Sequence, residues 1–171
     1  MTIKAEIRLY VLVGVGILGF AAFVFYIRFA QLDFTPSRVK KYVDYYSIDS
    51  NYHQYRGIIK EYEFREYGFL VFDKVTVSDN SEHDAKEVFG TYYLKVFSAD
   101  PKKTWEDLNP TVGLEVSFIC ANETLEKSDY PPIVQITANE IEILSFEEGK
   151  EALIDYYNSK SYYYNPFWKP N

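Results

Sequence analysis

The sequence predicts a mainly β fold: an N-terminal transmembrane helix, then a small five-stranded barrel with flanking short helices. Three observations predict it. Residues 9–27 carry no charged side chain and are bracketed by Arg8 and Arg28. Aromatic residues make up 19% of the chain, with 17 Tyr and 13 Phe, side chains that suit the half-buried pleated surface of a sheet. Several segments between residues 54 and 144 alternate apolar and polar side chains with the period of two that a strand requires.

Taken in order, the segment Leu9 to Ile27, at about 1.5 Å per residue, would span roughly 28 Å, close to the hydrocarbon thickness of a bilayer. Tyr10 and Tyr26 fall where interfacial aromatics belong. A cleaved signal peptide fits less well, because its apolar region is usually shorter and Arg28 stands where a small residue is wanted. Gly14, Gly16 and Gly19 match a dinucleotide fingerprint in spacing, yet no strand precedes them to form the phosphate-binding turn.

Thr35 and Pro36 read as a helix cap followed by a first-turn proline. Val39, Tyr42, Val43 and Tyr46 then define one apolar face of a helix over 36–46. A polar connection over 47–54 leads to a strand containing Gly57 and Tyr62–Phe64, with Gly68 expected to turn the chain. Phe69–Val77 reads as the second strand, with an irregularity near Asp73, and 79–88 as a polar loop or helical turn. Tyr92–Phe97 is the third strand and 101–108 a short helix. The clearest alternation runs through Val112, Leu114, Val116, Phe118 and Cys120. After a polar loop, Pro131-Pro132 opens a last strand that runs through Ile133 and Ile136 to Ile143. Ser145 and Glu148 form a capping box, which predicts a helix over 146–158. The implied division is an anchor over 1–30, a juxtamembrane helix and connector over 31–53, a barrel over 54–144, and a C-terminal helix and aromatic tail over 145–171.

Strand, strand, strand, short helix, strand, strand over residues 54–144 resembles the OB-fold, a five-stranded Greek-key barrel. Gly57 would supply the bend that the first strand of such barrels carries, and helix 101–108 falls between strands three and four. The segments Val112–Val116 and Gln135–Ile141 look like the closing strands. With an N-terminal anchor and the segment Phe34-Thr35-Pro36-Ser37, the architecture also looks like the haem chaperones of cytochrome c maturation. That resemblance would imply a haem-attaching histidine in the tail. No histidine follows His83, so haem attachment does not carry over.

The residues exclude more chemistry than they suggest. Of 18 basic and 25 acidic residues, Lys4, Arg8, Arg28 and Glu6 fall before residue 31, which leaves about −9 on the rest. Such a balance disfavours phosphate backbones. Cys120 is the single cysteine, so no intramolecular disulfide can form, and its strand position reads as core. His53 and His83 have no partner at metal-ligand spacing and read as solvated loop residues. The stretch Asp79 to Asp84 has the carboxylates of a calcium loop without its glycine or its closing glutamate. Asn122 begins a glycosylation triplet. No nucleophile elbow, phosphate loop or zinc-protease signature occurs, so no catalytic residue, metal or cofactor is expected.

The expected function is therefore a membrane-tethered, non-enzymatic interaction module, an accessory subunit of a bacterial envelope complex. It would sit in the cytoplasmic membrane with its domain outside the cytoplasm. The flanking charges do not decide that orientation, which rests on the short N-terminal tail. The candidate partner surface is the aromatic tail, Tyr162, Tyr163, Tyr164, Phe167 and Trp168, together with the loop over 122–131. The alternatives are a small-molecule or glycan carrier and a cytoplasmic single-strand nucleic-acid binder.

Overall fold

In the computed structural model the described residues are 14, 16–24, 36–121 and 130–164, with side chains described over 38–121 and 130–160 within the barrel-bearing part. The chain divides into two compact units, Met1–Thr35 and Pro36–Asn171.

The first unit corrects the expected fold class. Residues 14 and 16–24 are helical. Among the described residues no helix is long and apolar enough to cross a membrane. The expected transmembrane helix over 9–27 is thus not supported, and neither is the membrane assignment that followed from it. Residues 9–13, 15 and 25–27 of that segment lie outside the described residues.

The second unit is a closed five-stranded barrel with two small additional strands, four α-helices and a 3-10 turn at Asp49–Asn51 among the described residues. In chain order these are α1 (Pro36–Tyr46), β1 (Tyr52–Phe64), β2 (Gly68–Thr76), β3 (Glu82–Asp84), α2 (Ala85–Phe89) and β4 (Tyr93–Val96). Then follow α3 (Pro101–Leu108), β5 (Glu115–Ala121), β6 (Pro132–Ala138), β7 (Ile141–Leu144) and α4 (Phe146–Tyr164). The barrel closes through β1-β5-β6-β4-β2 and back to β1, with every pairing antiparallel except β4–β6. This order, with α3 between the third and fourth barrel strands, is consistent with an OB-like fold.

Strand β1 can serve both β2 and β5 because it is long and irregular. Register shifts against β2 fall between Gly57 and Ile59 and between Ile59 and Glu61. The first places the extra residue on β2 around Asp73, where the sequence suggests an irregularity; such bulges bend a strand and raise its twist. Gly57 meets the ring of Phe72, leaving little room for a side chain at the point where β1 exchanges partners.

The barrel interior is filled. Tyr55, Ile59, Leu70, Phe72, Leu94, Val116, Phe118, Cys120, Ile133 and Ile136 form one buried cluster. Phe72 and Phe118 stack at 4.8 Å between ring centroids. Cys120 is fully buried as expected, and that burial pushes its thiol well above the usual range.

A second core of rings joins α1 and α4. Tyr42 and Tyr46 pack on Tyr157 at 4.7 and 5.4 Å. Tyr52 packs edge-on to Phe146, and its hydroxyl donates to the Tyr46 carbonyl at 2.9 Å. Helix α4 also lies against the backbone of β6. A Cβ on Gly149 would fall on the Val134 carbonyl, only 2.6 Å from its carbon.

Four sequence expectations change locally. Gly68 does not turn the chain; it opens β2 opposite Phe64 and lies flat against the Trp105 ring. The polar stretch 79–88 holds the expected helical turn, in α2, but also the strand β3. The last strand is a hairpin, β6 and β7, turned by Asn139 and Glu140, both at positive φ (51° and 65°). Finally, Val112 precedes β5 and is exposed, because Thr111–Leu114 forms a turn with Gly113 at φ 91°.

Candidate functional site

The outer wall of the barrel is set by the same alternation that fills its inside. Leu70 and Leu94 pair across β2 and β4 and point inward, both fully buried. Their neighbours therefore point outward, in two rows. One row is Glu63, Phe69 and Lys95; the next is Glu61, Val71 and Tyr93. Tyr130, just before β6, lies edge-on to Phe69 and Tyr93, at 5.4 and 5.9 Å between ring centroids. Tyr93 and Tyr130 are each about two-fifths exposed. The result is a ring platform spanning β2, β4 and the segment entering β6.

Charged groups border this platform. Glu61 and Glu63 stand on the β1 side and Glu66 in the turn beyond. Arg65 binds Glu63 at 2.8 Å. That carboxylate raises the guanidinium's pKa above its ordinary value, with Tyr130 and Tyr93 adding to the effect. Lys60 pairs with Asp73 at 2.8 Å. On the other side, the Lys95 ammonium sits over Tyr67, Tyr156 and Phe97, at 3.8, 4.3 and 4.6 Å from their centroids. These rings come from the β1–β2 turn, α4 and the end of β4, so the lysine ties the helix to the barrel wall.

A separate surface surrounds the Arg56–Glu115 ion pair, 3.5 Å long and largely solvent-exposed. Three open grooves of about 650, 780 and 460 Å³ share these two residues. One exposes Ile58 and Val112 between the Lys60–Asp73 and Lys74–Glu82 pairs. The others are lined mainly by amide and hydroxyl side chains such as Gln54, Asn80, Ser117 and Thr137. Arg56 and Glu115, which all three share, pair with each other, as do Lys60 with Asp73 and Lys74 with Glu82.

Among the described residues, one arrangement that resembles a catalytic constellation lies beside β3. Ser81 Oγ is 2.5 Å from His83 Nε2, and His83 Nδ1 is 3.9 Å from a Glu87 oxygen. The hydroxyl is also 2.5 Å from Asp79 Oδ1, and the Ser81 amide donates to the same oxygen at 2.9 Å. Those two bonds lower the Asp79 pKa, so its carboxylate can only accept. The Ser81 proton therefore goes to Asp79, and His83 must donate to Ser81. A general base needs the opposite direction, so this network closes a turn and does not activate a nucleophile. His83, expected as a solvated loop residue, is half-buried within it.

Among the described residues no group of three His, Cys, Asp or Glu could hold a metal ion. His53 lies in β1 opposite Cys120 and is exposed. Of the predicted aromatic tail, Tyr162, Tyr163 and Tyr164 fall on the last turn of α4, with side chains outside the described part. Phe167, Trp168, Asn122 and residues 123–129 lie outside the described residues. Tyr130, from the loop expected to face a partner, belongs to the platform. Sequence marks Phe69 and Tyr93 only as strand residues, because their convergence with Tyr130 depends on barrel closure.

No protein family, curated protein or solved structure matches this chain, so no relative supports the N-terminal anchor or the likeness to haem chaperones.

Proposed function

We propose that this chain is a non-enzymatic interaction module that holds an extended partner across the outer face of β2 and β4. The observation that carries this reading is the half-exposed ring platform of Phe69, Tyr93 and Tyr130 on the outer barrel wall. Rings of this kind supply contact area at low entropic cost and are enriched at binding hot spots. OB-type barrels commonly use the equivalent face, an analogy of fold alone. A carrier that encloses its ligand fits less well, since Phe72 and Phe118 fill the barrel centre.

Site-specific photo-crosslinking in cells tests the proposal. A crosslinking side chain at Tyr93 or Tyr130 should give a discrete protein adduct, and one at Glu106 on α3 should not. Excess native chain should compete the adduct away, and a chain carrying Phe69→Ala and Tyr93→Ala should not. Adducts of equal yield from all three positions, or none from the platform, would overturn it.

A further inference from the structure

We infer that the partner segment is basic: an extended peptide that lays an arginine or lysine on the Tyr93–Tyr130 rings against the β1 carboxylates. This rests on the reading of the β2–β4 face as the interaction surface, and names its chemistry.

Charge complementarity carries the inference. Among the described residues, every cation bordering the platform is engaged by this chain itself. Arg65 is bound to Glu63, Lys60 to Asp73, and Lys95 is taken by the three rings of its cage. Glu61 and Glu66 form no ion pair among the described residues. The face therefore carries two unpaired carboxylates, Glu61 two strands across from Tyr93 and Glu66 in the β1–β2 turn. A cation over a tyrosine ring is attracted by the ring's electron-rich face, and a nearby carboxylate adds to that attraction. A phosphodiester backbone meets the reverse situation, repelled by the same carboxylates with no unengaged cation among the described residues to receive it.

The molecule contains its own precedent. Lys95, one position along the outward side of β4 from Tyr93, is recognised in this way, its ammonium 3.8 Å from the centre of the Tyr67 ring. Lys86 and Lys160 similarly lie over Tyr92 and Tyr156, at 5.5 and 5.0 Å. The platform offers an incoming cation the surroundings that these resident lysines already occupy.

The test uses the full-length chain, isotopically labelled, with four probes followed by amide chemical shifts. The probes are an arginine-glycine-serine repeat peptide, the same peptide with citrulline for arginine, cellohexaose, and an oligothymidylate. The arginine peptide should shift Phe69, Val71, Tyr93 and Tyr130, and citrulline should weaken binding by about tenfold. E61Q/E63Q should weaken the arginine peptide comparably. E147Q/E148Q, which removes the same charge from the first turn of α4, should leave it unchanged.

Equal loss in the two variants would mean general acidity, and equal affinity for citrulline would mean that the charge is not read. Either result overturns the basic-peptide assignment, and so does preferential binding of the sugar or the oligonucleotide at these amides. All three leave the face itself standing as a binding surface. Silence at the platform from every probe, together with absent crosslinks, removes the face as well. The citrulline comparison uses the native chain, so its outcome does not depend on any variant folding.

Discussion

Replacing Gly149 by alanine sets two effects of opposite sign against each other, and the structure decides which wins. Within an exposed helix interior, Gly→Ala stabilises by about 1 kcal/mol, because glycine loses more backbone entropy on folding. Gly149, however, is buried where α4 crosses β6. An added Cβ would meet the Val134 backbone, 2.6 Å from its carbonyl carbon and 2.7 Å from its Cα, against 3.4 Å or more for an ordinary contact. The obstacle is main chain in the barrel wall, so no rotamer change relieves it. Helix α4 must lift by about 1 Å, and overpacking of this kind costs roughly 1–3 kcal/mol. The lift also loosens Leu153 and Tyr157, both buried on the same helix, and each forfeits a further fraction of its burial energy of about 1.5–3 kcal/mol. The net expectation is a loss of about 2 kcal/mol, after the propensity gain is offset. Urea denaturation of the full chain, followed by tyrosine fluorescence and circular dichroism, measures it. A variant as stable as the native chain, or more so, would refute the close approach of α4 to β6.

Three further predictions concern other parts of the fold. Glu140 holds a positive φ in the β6–β7 turn, a conformation that costs a residue bearing a Cβ, so Glu140→Gly should stabilise by about 0.5–1 kcal/mol in the same denaturation assay. Lys95→Met should destabilise by about 1 kcal/mol and speed hydrogen exchange in the second half of α4, since it removes the cation from the Tyr67, Phe97 and Tyr156 rings. Burial raises the Cys120 thiol well above its ordinary value of 9.0, and raises the Tyr52 hydroxyl as well, chiefly through burial and then through Tyr46 and Asp49. Both groups keep their protons in the folded state after the unfolded chain has released them. The stabilisation declines as pH rises, above 9 for Cys120 and above 10 for Tyr52, by up to about 1.4 kcal/mol per unit for each group. Melting curves between neutral and alkaline pH should show this decline, and Cys120→Ala should make it shallower at the onset.

Much of the barrel was legible because its strands bury one face. Val116, Phe118 and Cys120 alternate with the exposed Glu115 and the half-buried Ser117 and Ile119, and the structure buries all three. Asp100, Pro101 and Asn109 bound α3 with a cap, a first-turn proline and a left-handed end, signals that act within a few residues. The β6–β7 hairpin was hidden because the apolar alternation continues through Asn139 and Glu140 without glycine or proline to mark the turn. The apolar run at 9–27 conveys hydropathy alone; among the described residues no helix is long and apolar enough to cross a membrane. The candidate site was least legible. Phe69, Tyr93 and Tyr130 are far apart in sequence, and only the antiparallel β2–β4 register and the parallel approach of β6 bring them together. The tail aromatics stand out in the sequence because they are contiguous, whereas the platform is assembled by topology.

The parallel pairing of β4 with β6 has a dynamic consequence. It is the shortest seam in the barrel, two register pairs held where Lys95 donates to Pro131 and Phe97 to Ile133, each at 3.0 Å. Pro131 and Pro132 have no amide hydrogen to return, so the seam cannot be reinforced from the β6 side at these positions. Breathing of the barrel should begin here, earlier than along the longer β1–β2 or β1–β5 ladders. Tyr93 stands on one lip of the seam and Tyr130 on the other. A partner that grips both rings acts as a clasp across the opening, so occupancy and barrel closure become a single linked equilibrium. Slowed exchange of the Lys95 and Phe97 amides would then report a bound partner from inside the wall, without any probe on the partner itself.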